Sequence, residues 1–81
     1  MSKRLIVLSQ PGCGACMMVK NYLQHTEVEF ETIDIRQDVD AVEKYNISST
    51  PVTILETEDG IEIERFNGFN PDELEKLTSQ I

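Results

Sequence analysis

A chain of 81 residues has room for one domain, 1–81, which by size scaling buries roughly 60–65 % of its unfolded surface. With 40 % hydrophobic and 27 % charged residues the composition is that of an ordinary folded protein and excludes a disordered or fibrous chain. The formal net charge of −8, from 15 acidic against 7 basic residues, repels phosphate backbones and anionic lipid surfaces, so no nucleic acid and no membrane is expected as a partner.

Met1 to Arg4 is a basic start, but it leads into only four apolar residues, Leu5-Ile6-Val7-Leu8. A secretory signal needs an apolar region of about 7–15 residues and a spanning helix about 20, so the expected compartment is cytoplasmic. The run itself is short, β-branched at Ile6 and Val7 and stopped by Ser9-Gln10-Pro11-Gly12, which predicts a buried strand entering a loop. Met17 to His25 lacks Pro and Gly and sets Val19, Tyr22 and Leu23 on one helical face. From Val28 to Ile35 apolar residues alternate with Glu29, Glu31 and Asp34, with one slip at Thr32, and predict a second strand. Asp40 stands three residues before Glu43 with the spacing of a helix cap, and Val39, Val42 and Tyr45 can share the buried face of a short helix.

Turn-rich Asn46 to Pro51 precedes a β-branched strand at Val52 to Leu55. Asp59-Gly60 supplies the positive φ angles of a tight hairpin that returns through Ile61 to Glu64. Asn70-Pro71-Asp72-Glu73 places a side-chain cap, a proline at the first helical position and two acids at the positive helix end, and Leu74, Leu77 and Ile81 form the apolar face. The order β-α-β-α-β-β-α makes the first two strands parallel neighbours and the last two a hairpin. The expected fold is α/β, a mixed four-stranded sheet flanked by helices. The acidic stretches 27–40 and 56–64 read as solvated faces, His25 as a solvated helix residue, and Met17 and Met18 as packing.

Two cysteines separated by two residues cannot staple a small secreted domain, so Cys13-Gly14-Ala15-Cys16 reads as a site. Thiol–disulfide exchange needs one ionised, accessible thiol and a second close enough to attack the mixed disulfide that the first one forms. If a helix begins near Cys13, its sulfur faces free backbone N–H groups and the positive dipole end, which favour thiolate, while Cys16 lies one turn deeper on the same face. Pro11 stiffens the entering loop, and Gly12 and Gly14 leave room for a bulky disulfide. Zinc requires four ligands, and this chain offers only His25 besides, so no metal site is expected in one chain, although a dimer could assemble four thiolates. A structural disulfide closing so short a loop would add little stability.

With this element order and the cysteine pair between strand and helix, the chain resembles the thioredoxin superfamily in its minimal, glutaredoxin-sized form, over essentially its whole length. The resemblance implies a thioredoxin-like fold and a redox-active Cys13–Cys16 disulfide with no other cofactor. Ser49-Thr50-Pro51 looks like that family's cis-proline loop, which would place Thr50 and Pro51 in the substrate groove together with Pro11, Gly12, Gly14 and Ala15. Gly68 matches the family's glycine before the last helix. The segment Phe66-Asn67-Gly68-Phe69-Asn70-Pro71-Asp72 resembles the Trp-Ser-Gly-Phe-Arg-Pro-Asp of NrdH-redoxins, donors to ribonucleotide reductase that take electrons from thioredoxin reductase; Phe69 would then be an apolar docking rim.

What this implies is a monomeric protein disulfide reductase, recharged by thioredoxin reductase, with disulfide-containing proteins and ribonucleotide reductase as substrates. A glutathione-dependent glutaredoxin is the alternative, but the chain lacks a Pro-Tyr pair between the cysteines and a Gly-Gly-Cys-Asp-like segment before the last helix. Compared with a full thioredoxin, Gly12 stands where Trp is usual, Ala15 replaces Pro, and the first strand has no internal Asp to take the proton of Cys16. A redox-inactive metal-holding protein on the same fold is the reading from another class, and the direction of electron transfer depends on the reduction potential.

Overall fold

A computed structural model describes residues 3–81, so of the basic start read at Met1 to Arg4, Met1 and Ser2 lie outside the described residues. The elements follow the order β1 (Lys3–Ser9), α1 (Gly14–His25), β2 (Glu31–Asp34), α2 (Val39–Lys44), β3 (Val52–Thr57), β4 (Glu62–Asn67) and α3 (Pro71–Thr78). The sheet order is β2-β1-β3-β4. β1 runs parallel to β2 and antiparallel to β3, and β3 pairs antiparallel with β4. This is the mixed four-stranded sheet of the thioredoxin-like fold.

The continuous apolar run of β1 follows from burial on both sides of the sheet, where a strand has no solvent face to make polar. Leu5 and Val7 pack with Leu55 against Val19 and Leu23 of α1 and Leu74 and Leu77 of α3. Ile6 and Leu8 pack with Val52 and Ile54 against Ala41 of α2, its C-cap Tyr45, and Ile47. The sheet is therefore the middle of three layers, with α1 and α3 on one face and α2 on the other. Each fully buried Leu or Ile contributes roughly 1.5–3 kcal/mol, so the inner strands β1 and β3 hold the layers together.

The apparent slip at Thr32 is a change of face. Val28 and Phe30 point into the α1/α3 layer, and Ile33 and Ile35, on the opposite parity, into the α2 layer. Strict period-2 geometry is kept, although only Glu31–Asp34 is paired as strand.

Several local expectations are corrected. Met17 and Met18, read as packing, are exposed, and Glu56, read as part of a solvated face, is buried and accepts from Arg4 Nη2 at 2.6 Å. The cap of α2 is Asp38, whose carboxylate accepts the Ala41 N–H, rather than Asp40. Its buried face is Ala41 and Tyr45, with Val42 beside them, while Val39 is exposed. In α3, Leu74 and Leu77 are buried as expected, but Ile81 lies past the helix end and is exposed. The hairpin forms at the expected place, with Gly60 at φ +88° and its N–H donated to the Thr57 carbonyl at 2.9 Å.

Candidate active site

β1 delivers the chain at Ser9 to a four-residue loop, Gln10 to Cys13, that crosses the end of the sheet and starts α1. Gly12 makes the turn at φ +77°, a left-handed conformation in which any other residue would be strained. Cys13 is the N-cap, with extended backbone, and its Sγ accepts the N–H of Cys16 at 3.1 Å. A sulfur thus occupies the place usually taken by a Ser, Asn or Asp oxygen. Its backbone carbonyl accepts the first helical bond, from Met17 N–H, at 3.3 Å. No acidic residue stands in the first turn of α1, so the positive helix end acts on the sulfur unopposed.

Cys13 and Cys16 form a disulfide with their Cα atoms 5.2 Å apart. Their environments differ: Cys16 is 1 % exposed, whereas Cys13 is half-buried with exposed Pro11, Gly12 and Gly14 around it and half-buried Ala15 between the two cysteines. Only Cys13 can be reached by a partner of macromolecular size.

The loop before β3 comes to the same place. The Thr50–Pro51 peptide is cis, and Pro51 is buried. The Thr50 hydroxyl donates to Cys13 Sγ at 3.7 Å and accepts the Gln10 side-chain amide at 3.0 Å. Gly68, at φ +95°, donates its N–H to the Pro51 carbonyl at 2.8 Å, and Asn67 Nδ2 donates to Ser49 Oγ at 3.4 Å, so the end of β4 braces this loop from behind. Pro11, Gly12, Gly14, Ala15, Thr50 and Pro51 therefore gather around the cysteines, while Gly68 acts one step away. Phe69 is half-buried, packed against the α1/α3 layer and edge-on to Tyr22 with ring centroids 6.5 Å apart, so part of its surface belongs to the core.

An open cleft of about 330 Å³ runs beside the pair; Cys13, Cys16 and Met17 line it, with Lys20, Thr32 and Asp34. Among the residues around the cysteines, Gln10 and Asp34 were given no place at the site from sequence, and Lys20 is the cation nearest to the motif in the chain. Asp34 and Thr32 arrive through the parallel pairing of β2 with β1, which matches Ser9 with Asp34. His25 stands at the far end of α1, where Nδ1 is 2.7 Å from the Asn21 carbonyl oxygen. Among the described residues no group of three or more His, Cys, Asp or Glu side chains is placed to hold a metal ion, and no helix is long and apolar enough to cross a membrane.

This geometry has counterparts among known proteins. The family model described as Glutaredoxin matches residues 5–58. The SPbeta prophage-derived thioredoxin-like protein YosR of Bacillus subtilis is 41 % identical over 78 residues, 96 % of this chain and 98 % of that protein. The glutaredoxin-like protein NrdH of Lactococcus lactis is 35 % identical over 71 residues, 88 % of this chain and 94 % of its own length. Among solved structures, mitochondrial thioredoxin 3 of Saccharomyces cerevisiae in its oxidised form superposes with a TM-score of 0.82 at 25 % identity, covering 98 % of this chain and 78 % of that one.

Proposed function

This chain belongs to the glutaredoxin family, and from that premise we propose that it is a thiol–disulfide oxidoreductase that reduces protein disulfides through Cys13 and Cys16. The observation that carries the proposal is the asymmetry of the pair: a reachable Cys13 sulfur on a helix N-terminus, with a buried Cys16 directly behind it. In the reduced protein, Cys13 thiolate attacks one sulfur of the substrate disulfide, forms a mixed disulfide and expels the other sulfur as thiolate. Cys16 then loses its proton and attacks the Cys13 sulfur. The Cys13–Cys16 bond forms, and the second substrate sulfur leaves and is protonated. Two electrons have passed from the pair to the substrate, which needs no cofactor beyond the two sulfurs.

A flavoprotein reductase of the thioredoxin reductase class returns the two electrons. The likeness to a protein named NrdH supports ribonucleotide reductase as one acceptor. The reaction as proposed belongs in a reducing, cytoplasmic compartment, where the pair is kept available as a dithiol. Loop residues Thr50 and Pro51 would lie along the substrate chain, and the exposed Gly12 and Gly14 leave it space.

The test is NADPH consumption with insulin as disulfide substrate, using either thioredoxin reductase or glutathione with glutathione reductase. Turnover with thioredoxin reductase alone is expected. Turnover with glutathione alone would move the protein to the glutathione-dependent glutaredoxins. Reductase activity that survives both Cys13→Ser and Cys16→Ser would end the proposal.

A further inference from the structure

We propose that Gln10 is a positioning residue for the nucleophile: its side-chain amide fills the acceptor side of the Thr50 hydroxyl and so commits that hydroxyl's proton to the Cys13 sulfur. This rests on the reading above, in which Cys13 attacks as a thiolate, and adds to it a residue outside the Cys-X-X-Cys segment.

The geometry is a chain of three groups in one direction. Gln10 Nε2 donates to Thr50 Oγ1 at 3.0 Å, and Thr50 Oγ1 donates to Cys13 Sγ at 3.7 Å. A threonine hydroxyl has one proton and can rotate to give it to any acceptor within reach. With an amide N–H pointing at its oxygen, the hydroxyl's own proton cannot be given to Gln10, and the Cys13 sulfur, 3.7 Å away, is the acceptor it meets. Each bond in such a chain polarises the next, so the amide also makes the hydroxyl a better donor. Cys13 thiolate is a far stronger acceptor than the disulfide sulfur, and the chain therefore favours the ionised form that attacks.

Neither Gln10 nor Thr50 lies within a helix or a strand. Gln10 follows β1 and Thr50 precedes β3, 40 positions apart, and they meet because β1 and β3 are antiparallel neighbours with Leu8 paired to Val52. The amide has two faces of opposite effect. Its N–H sends the threonine proton to sulfur, whereas an acceptor in the same place would draw that proton away. The prediction therefore has a sign: Gln10→Ala weakens thiolate stabilisation, and Gln10→Glu, which offers only acceptors and adds a negative charge, weakens it more.

The experiment follows the rate of Cys13 alkylation by iodoacetamide against pH in the fully reduced protein. Gln10→Ala should move the half-maximal pH upward by about 0.5 unit, which is about threefold less thiolate at a fixed lower pH, and Gln10→Glu further. Because the effect is routed through one hydroxyl, the Gln10→Ala shift should vanish in a Thr50→Val background and persist in Thr50→Ser. Gln10 is exposed, so its loss should leave the thermal midpoint of unfolding unchanged and separate this role from a structural one. An unshifted profile in Gln10→Ala, or the same shift with and without the Thr50 hydroxyl, overturns the inference. Neither result touches the reductase reading, which stands or falls on insulin reduction by the wild type and its loss in Cys13→Ser.

Discussion

Cys13 caps α1 and presents the sulfur that would react, so its replacement removes two things. The two can be separated by the oxygen variant. Cys13→Ser retains a capping acceptor and should unfold close to the reduced wild type, whereas Cys13→Ala should lose about 1 kcal/mol in urea titration under reducing conditions, and both should be inactive. Cys16→Ser should still attack a disulfide but be unable to release the product, so intact-mass spectrometry after incubation with insulin should find the protein covalently joined to an insulin chain. Thr53 makes a different point. Its Oγ1 is buried without a hydrogen-bond partner in the centre of the sheet. Thr53→Val keeps the branched shape and removes the unpaired hydroxyl, and should raise the stability by about 1 kcal/mol in the same titration. The cysteines, Pro51 and Gly68 were legible in the sequence because each is a residue type with few reasons to stand where it does. The contact of Gln10 with Thr50 was not: Thr50 was marked by the proline after it, but its meeting with Gln10 depends on strand register, and Gln10 has no pattern that marks it.

Elements with strong local signals came out as read, and weak ones shifted. The α3 start has a cap, a proline and two acids, and the structure uses all of them: Asn70 Oδ1 accepts the N–H groups of Asp72 and Glu73 at 3.0 and 3.4 Å. Asn70→Ala should cost about 1 kcal/mol on urea unfolding. The six-residue α2 is too short for periodicity to fix its buried face, and its cap is Asp38, two residues before the Asp40 that the cap spacing had pointed to. β2 looked irregular because its apolar residues serve both sides of the sheet. On β4, Arg65 grips Glu62 through Nε and Nη2 at 2.9 and 2.6 Å and also donates to the Tyr45 carbonyl at 2.8 Å, which ties the edge strand to the end of α2. The Arg65 hydrogen bond holds the Glu62 carboxyl below its ordinary 4.5. A carboxyl with a lowered folded pKa contributes stability that is complete above the unfolded value and lost as pH falls through the folded one. Glu62 is more than a third exposed, so this amounts to less than about 1 kcal/mol after solvent screening. The stability gap between wild type and Arg65→Met should accordingly narrow as the pH of a thermal melt is lowered below 4.5.

For the molecule as a whole, the charge of −8 acts on stability as well as on partner choice. Like charges crowded on a small surface repel one another more when folded, so the thermal midpoint should rise as sodium chloride is added up to about 0.15 M, where the screening length falls to about 8 Å. The sheet also gives the molecule two ends with different contents. The register pairs Leu8 with Val52 and Val52 with Asn67, which gathers the cysteine loop, the cis-proline loop and Gly68 at one end; it pairs Lys3 with Thr57 at the other, where the Asp59-Gly60 turn closes the hairpin. That turn is exposed, and a cysteine-free attachment chemistry there would meet no part of the site. The protein could therefore be tethered by its hairpin to an electrode or a bead with every molecule presenting its sulfurs to the solution, an orientation that a small domain with its reactive groups scattered over the surface would not permit.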